Sequence, residues 1–205
     1  NEMRLLISVI IPLKADKSVH PSFSFSARNR FGVIFLTFDC QPRVMADTLV
    51  HEFYHNRLNL LLEYDKILEN ADSDEYYSPW RKIPRPLWGI LHGCFANYGI
   101  AKFWQGYLKK YLEISTVERE KIEKGAIKTS VSLQIGCKSL LKHGKSTALG
   151  MVLINDLIMG GESLFDWACG LNSRLVAVYY NDYKMEFELW KKNNDKKEAI
   201  FENIF

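Results

Sequence analysis

The order of apolar and polar positions predicts strands at the start of the chain. Residues 5–13 (LLISVIIPL) are mostly apolar and β-branched as far as Pro12. Phe23 and Phe25 alternate with serines, and residues 31–38 (FGVIFLTF) form a second strong apolar run. Runs of this kind are typical of β-strands, and residues 39–43, which contain Pro42, predict a turn after them.

The rest of the chain carries apolar residues at helical spacing, interrupted by a proline-rich segment. Three prolines within residues 79–86 (PWRKIPRP) exclude a continuous helix there. Glycines predict the other breaks, at Gly144, at Gly160-Gly161 and at Gly170. The predicted helices cover residues 44–70 (with a kink or break after Leu62), 87–114, 116–142, 146–159, a short piece at 164–169, and 172–192.

Strands followed by helices indicate an α+β fold. We expect a mostly helical protein in which a small N-terminal antiparallel β-sheet (residues 1–42) packs on a helical bundle (residues 43–205). A length of 205 residues fits a single domain, here a metal-dependent catalytic one for the reasons given below.

Composition narrows the class of protein. A net charge of +3 is nearly balanced and argues against a protein whose main role is to bind nucleic acid. No apolar run approaches the ~20 residues of a membrane span, and no signal-peptide pattern occurs. The four cysteines are widely spaced without a CxxC pair, so we expect reduced thiols and a cytoplasmic protein. Because the first residue is Asn1 rather than Met, a trimmed chain or a part of a longer one is expected.

The most specific motif is His51-Glu52-Phe53-Tyr54-His55, within the first long predicted helix. Residues four apart lie on the same helical face, so both imidazoles can bind one metal ion. Glu52 is rotated by about 100° from His51 and can act on a water or a ligand beside that ion. The alternative interpretation is a solvated helix face with two unrelated histidines.

Two histidines do not complete a catalytic metal site, which usually has three protein ligands. His92 is the best third candidate, because Gly89 and Gly93 on either side of it indicate close packing of two helices. A histidine on an apolar helix is also a common core residue, which is the alternative. A downstream carboxylate as third ligand would instead indicate a thermolysin-like zinc protease, and the candidates are Glu63, Asp72, Asp74 and Glu75.

Two arginines precede His92 in the proline-rich segment. Guanidinium groups bind carboxylates through two parallel hydrogen bonds. Pro84 and Pro86 stiffen the backbone on both sides of Arg85, which suits a fixed anion-binding group, and Arg81 lies four residues earlier. A basic loop that simply stays hydrated is the alternative.

Several of these motifs occur together in an order that resembles a known family. The blocks are residues 48–59 (TLVHEFYHNRLN), 77–81 (YSPWR), 84–87 (PRPL) and 91–93 (LHG). They resemble the 2-oxoglutarate-dependent HExxH-type peptide β-hydroxylases of ribosomal natural-product clusters, over about residues 30–105. The resemblance implies a non-haem iron(II) enzyme that hydroxylates a side-chain β-carbon in a ribosomally made precursor peptide.

By this resemblance, His51, His55 and His92 would bind Fe(II), and an arginine would bind the carboxylate of the co-substrate 2-oxoglutarate. Arg85 is the first candidate for that carboxylate, and Arg81 is the second or a contact to the peptide. The expected partner is the precursor peptide, with no nucleic acid and no membrane.

The role of Glu52 separates the alternatives. In the oxygenase it would orient a ligand or a water beside the metal. In a zinc metallopeptidase it would be the general base, and residues 31–38 would pair with an extended peptide. A binding module with a structural metal is the third alternative, although such sites usually use clustered cysteines. The resemblance favours the oxygenase.

Overall fold

The computed structural model describes residues 2–14, 23–38, 41–72 and 76–194. The chain divides into two compact units, Asn1–Asp65 and Lys66–Phe205. The prediction of a single domain stays a prediction. Asp74 and Glu75, two of the candidate carboxylate ligands, lie outside the described residues, as does the start of the predicted turn at residues 39–43.

Within its described residues, the first unit contains three strands and two helices. They are α1 (Glu2–Leu6), β1 (Val9–Leu13), β2 (Ser24–Phe25), β3 (Val33–Thr37) and α2 (Pro42–Tyr64). The sheet order is β1-β3-β2, with β1 parallel and β2 antiparallel to β3. The sheet is therefore mixed, and the prediction of a purely antiparallel sheet was wrong. Strand patterns carry no direction, and the connection between β1 and β3 is long enough for the crossover that parallel strands need.

The predicted first strand begins later than expected. Residues 2–6 form α1, where Glu2 pairs with Arg57 of α2 at 3.2 Å. Leu5 is 88% exposed, so its apolar side chain does not belong to the core. Gly32 then makes a tight turn with φ +70°, where a Cβ atom would lie 2.6 Å from the Leu6 carbonyl oxygen. Glycine is needed at this position for both reasons.

The HExxH helix packs on the sheet within the first unit. Ile34 and Leu36 of β3 have no exposed surface, and they share one face of the strand because side chains alternate between its two faces. Pro42 opens α2, at a position where its missing N–H removes no helical hydrogen bond. The helix ends at Tyr64 rather than at residue 70, close to the predicted break, and Asp65 is extended.

The second unit contains a hairpin and three long helices. They are β4 (Tyr76–Ser78), β5 (Arg81–Arg85), α3 (Leu87–Lys110), α4 (Thr116–His143) and α5 (Ala148–Asn193). The antiparallel β4–β5 hairpin lies in the segment that was predicted only to be non-helical. The Ser115 hydroxyl accepts a hydrogen bond from the Glu118 N–H and so caps α4.

Helix α5 continues through the glycines that were predicted to end helices. Gly160 lies against Tyr98, and a Cβ atom there would approach the ring to 2.5 Å, so this glycine serves packing. The break comes at Asn172, whose φ of −160° is non-helical and whose Oδ1 accepts a hydrogen bond from the Leu175 N–H. The predicted ends at Gly160-Gly161 and Gly170 were wrong, whereas the predicted start at Asn172 marks the kink.

The second unit has its own aromatic and aliphatic core. Partly buried residues of α5 pack around it. Its buried members come from β4, α4 and α5 and are Tyr77, Ile127, Val131, Ile135, Ala168, Val176, Tyr183, Phe187 and Trp190. Among the described residues, one helix, α5, is long and apolar enough to cross a membrane by length and composition alone, a test that core helices also pass. The mostly helical α+β fold is confirmed.

Candidate metal centre

The two histidines of the HExxH motif converge at their ring nitrogens. His51 Nε2 lies 2.8 Å from His55 Nε2, and the rings are edge to face with centroids 4.4 Å apart. Both side chains are half-buried on α2. One helical turn separates the residues, which is why the rings meet. Two nitrogens this close can bind a single ion, so the first unit supplies two donors of the type that Fe(II) and Zn²⁺ accept.

Glu52 is buried between the helix and the sheet. Its side chain is 2% exposed, and both carboxylate oxygens accept hydrogen bonds. The Ser24 hydroxyl donates to Oε1 and the Ser26 hydroxyl donates to Oε2, each at 2.7 Å. Burial raises the pKa of Glu52, and the hydrogen bonds from Ser26 and Ser24 oppose that rise. Glu52 is thus held by β2 and the residues directly after it.

Asn56 extends this buried network by one helical turn. Its Oδ1 accepts a hydrogen bond from the Gly32 N–H at 2.9 Å, and its Nδ2 donates to Ser26 Oγ at 2.9 Å and to the Glu52 carbonyl oxygen at 3.0 Å. Glu52 and Asn56 are four residues apart and share the face of α2 that meets the sheet. Because the helix is anchored on that face, the direction of the neighbouring histidine face is fixed.

His92 lies in the second unit, on α3, beside a tryptophan and an arginine. Its half-buried ring is edge to face with Trp88, with centroids 5.8 Å apart. On the hairpin side, Arg85 Cζ lies 5.4 Å from the centroid of the Trp88 ring. Two predicted site residues, Arg85 and His92, therefore both contact Trp88.

The glycines around His92 accommodate side chains of the hairpin. A Cβ atom at Gly89 would lie 2.6 Å from Arg85 Nε, and one at Gly93 would lie 2.4 Å from the Trp80 ring. The sequence predicted that these glycines allow two helices to pack closely. They instead make room for side chains of the hairpin, so that prediction was wrong about the packing partner. Burial, and then the nearby charge of Arg81, lower the pKa of Arg85. The guanidinium is thus partly desolvated and close to a second cation, an environment that favours an anion.

Arg81 is exposed and lines a different part of the second unit, a cavity beside α5. Of the other candidates, Glu63 lies within the first unit and pairs with Arg28 at 3.1 Å. Within the described part of the chain, no group of three or more His, Cys, Asp or Glu side chains is arranged to hold a metal ion. The role of His92 as third ligand stays a prediction.

Sequence reasoning missed the residues that support the motif. Ser24, Ser26 and Asn56 hold Glu52 and the helix, and Trp88 connects Arg85 with His92. The spacing of Glu52 and Asn56 by four residues was a signal for a shared polar face. The serines were interpreted only as the polar half of a strand.

Comparison with known protein families finds no family model that matches the chain. A search of curated proteins finds no match either.

Proposed function

We propose that the chain is a non-haem iron(II), 2-oxoglutarate-dependent oxygenase that hydroxylates a side-chain β-carbon in a ribosomally made precursor peptide. His51 and His55 would bind the iron, which when bound would supply the oxygen-activating chemistry. His92 is proposed as the third ligand on the sequence pattern alone. The proposed setting is the cytoplasm, with a peptide partner and neither nucleic acid nor membrane.

The observation that carries this proposal over a peptidase is the environment of Glu52. A peptidase needs this carboxylate to take a proton from a metal-bound water. Both Glu52 oxygens instead accept hydroxyl hydrogen bonds in a buried setting. Turning the carboxylate toward water would break two hydrogen bonds to a charged group, worth about 1.5–3 kcal/mol each. These contacts support a role in holding α2 in position.

The environment of Arg85 supports the co-substrate. 2-Oxoglutarate carries a carboxylate at the end far from its keto group, and a desolvated carboxylate needs a cation. Arg85 is half-buried, packs on Trp88 and ends the strand that directly precedes the His92 helix α3. Its guanidinium can form a two-bond contact with such a carboxylate.

A zinc metallopeptidase is the second candidate, because the convergent histidine pair and the adjacent glutamate are also what that chemistry uses. The deciding experiment is anaerobic titration of the metal-free protein with Fe(II) and then 2-oxoglutarate. An oxygenase gives a visible charge-transfer band when the keto acid binds, and a zinc peptidase gives none. Mass spectrometry of a peptide substrate would show either one added oxygen atom or cleavage.

Glu52→Gln distinguishes the two functions at one residue. We expect the variant to keep the metal and part of its hydroxylation, because the amide preserves the shape and some hydrogen bonding to Ser24 and Ser26. A peptidase would lose about 10²–10⁴-fold or more in turnover with its general base. Metal content and product formation are measured together. If the wild type cleaved the peptide and the Glu52→Gln variant kept its metal but lost cleavage, the proposal of an oxygenase would be contradicted.

A further inference from the structure

A cavity of about 440 Å³ lies within the second unit, between the β4–β5 hairpin, α4 and the last third of α5. Its wall is aromatic: Tyr77, Tyr183 and Trp190 are buried, and Tyr179 is half-buried at their side. Tyr77 packs edge to face on Trp190, with ring centroids 5.8 Å apart. Ring faces carry negative potential and attract cations.

Two exposed carboxylates, Asp182 and Glu186, stand one helical turn apart at the rim of this wall. The Tyr77 hydroxyl donates a hydrogen bond to the Tyr183 carbonyl oxygen at 3.5 Å, and burial and then the charge of Glu186 raise the pKa of Tyr77. Burial raises the pKa of Tyr183 to about 12, a rise that the hydrogen bond with Ser132 opposes and that Glu186, Tyr179 and Asp182 reinforce. Glu186 is thus close enough to both Tyr77 and Tyr183 to influence them, and these two tyrosines stay neutral at physiological pH.

The cavity also has basic groups, Arg81 on β5 and Lys128 on α4, both exposed. The charge of Arg81 acts on Arg85 of the same strand. The two carboxylates lie on α5 together with Tyr179, Tyr183 and Trp190, whereas the basic groups belong to the hairpin and α4.

We infer that this cavity binds the cationic side chain of a peptide residue, lysine or arginine, with its charge beside Asp182 and Glu186 and its methylene groups against the aromatic wall. Aromatic rings combined with carboxylates recognise organic cations, and long basic side chains bury their stems on apolar surfaces. Arg81 and Lys128 would contact carbonyl or acidic groups of the neighbouring peptide residues. The inference concerns binding alone and holds for either an oxygenase or a peptidase.

The test uses the full chain without metal and three labelled alanine-glycine peptides that differ only at one central residue: lysine, its neutral analogue norleucine, or glutamate. Fluorescence anisotropy reports binding. We expect the lysine peptide to bind about tenfold more tightly than the norleucine peptide, because the charge interacts with both rings and carboxylates. Equal binding of these two peptides, or no binding of the lysine peptide, would overturn the inference.

Variants locate the binding in this cavity. The double variant Asp182→Asn with Glu186→Gln keeps the shape of both side chains and should weaken lysine-peptide binding about tenfold. Glu188→Gln is the matched control, because Glu188 is exposed on the same helix, pairs with Lys191 at 2.7 Å and does not line the cavity. Unchanged binding in the double variant would overturn the inference. Preferred binding of the glutamate peptide, lost in Lys128→Ala, would instead identify a site for acidic peptides.

Discussion

At the scale of single residues, the histidine pair depends on polar contacts that lie behind it. Glu52 and Asn56 face the sheet, and Ser26 contacts both of them, donating to Glu52 Oε2 and accepting from Asn56 Nδ2. A buried polar group that loses its partner pays its full cost of desolvation. The stability of the first unit is therefore sensitive to one serine hydroxyl.

Ser26→Ala should lower the free energy of unfolding by about 1–3 kcal/mol, because it leaves a buried carboxylate oxygen and a buried amide with fewer partners. Ser130→Ala is the matched control: Ser130 is fully buried, and its hydroxyl has no hydrogen-bond partner within the described part of the chain. Urea unfolding measures both variants. Equal effects would show that the network contributes nothing beyond ordinary burial.

Arg85 can be tested against its neighbour on the same strand. If Arg85 binds the far carboxylate of 2-oxoglutarate, Arg85→Ala should bind iron normally and raise the half-saturating concentration of 2-oxoglutarate by about tenfold or more. Arg81→Ala is the matched control, because Arg81 lines the cavity described above instead. Spectroscopic titration of the metal-free proteins, first with Fe(II) and then with 2-oxoglutarate, gives the iron affinity and the half-saturating concentration of 2-oxoglutarate. A larger effect in Arg81→Ala would reverse the assignment.

The candidate site was predictable only as far as local spacing determines it. His51 and His55 lie one turn apart, so helix geometry alone brings their rings together. Ser24 and Ser26 lie more than twenty residues before Glu52 and reach it only through the fold of the sheet. Trp88 looked like any aromatic residue, and its contacts with both Arg85 and His92 follow from how the hairpin packs on the start of α3.

At the scale of elements, the helical spacing of apolar residues predicted where helices occur more reliably than the positions of glycines predicted where they end. Gly160 was interpreted as a stop, yet burial against Tyr98 favours a continuous helix in which the glycine permits close contact. The hairpin at residues 76–85 was missed because two prolines within it, and a third directly after it, weaken any strand pattern. Sheet direction was missed because alternation is the same in parallel and antiparallel strands.

The kink in α5 gives a prediction at this scale. Asn172 leaves the helical conformation, and its Oδ1 caps the second half of the helix through the Leu175 N–H at 3.0 Å. Asn172→Ala removes that cap and should lower the free energy of unfolding by about 0.5–2 kcal/mol. Asn172→Asp retains an acceptor and should stay close to the wild type. Chemical unfolding compares the three proteins, and equal losses in both variants would contradict a capping role.

At the scale of the whole molecule, the division into two units changes how the sequence pattern is understood. The predicted bundle was expected to carry the HExxH helix, but α2 belongs to the first unit with the sheet. The bundle of the second unit consists of α3, α4 and α5 with the hairpin. Hydrophobic period identifies each helix without stating which neighbours it packs against, so this assignment required the tertiary structure.

The second unit should fold when it is expressed alone as residues 66–205. Its core is contributed by its own elements, with Val131, Ile135 and Phe187 all buried among residues of the same unit. Because a unit with its own core can unfold cooperatively, we expect helical circular dichroism and a single sharp thermal transition. Ala168→Asp is the negative control, since it would place an unpaired charge at a fully buried position and abolish the transition. The cavity lies within this unit, so the fragment should bind the lysine peptide as the full chain does. A broad thermal transition without a near-UV circular dichroism signal from packed aromatic side chains would contradict the independence of this core.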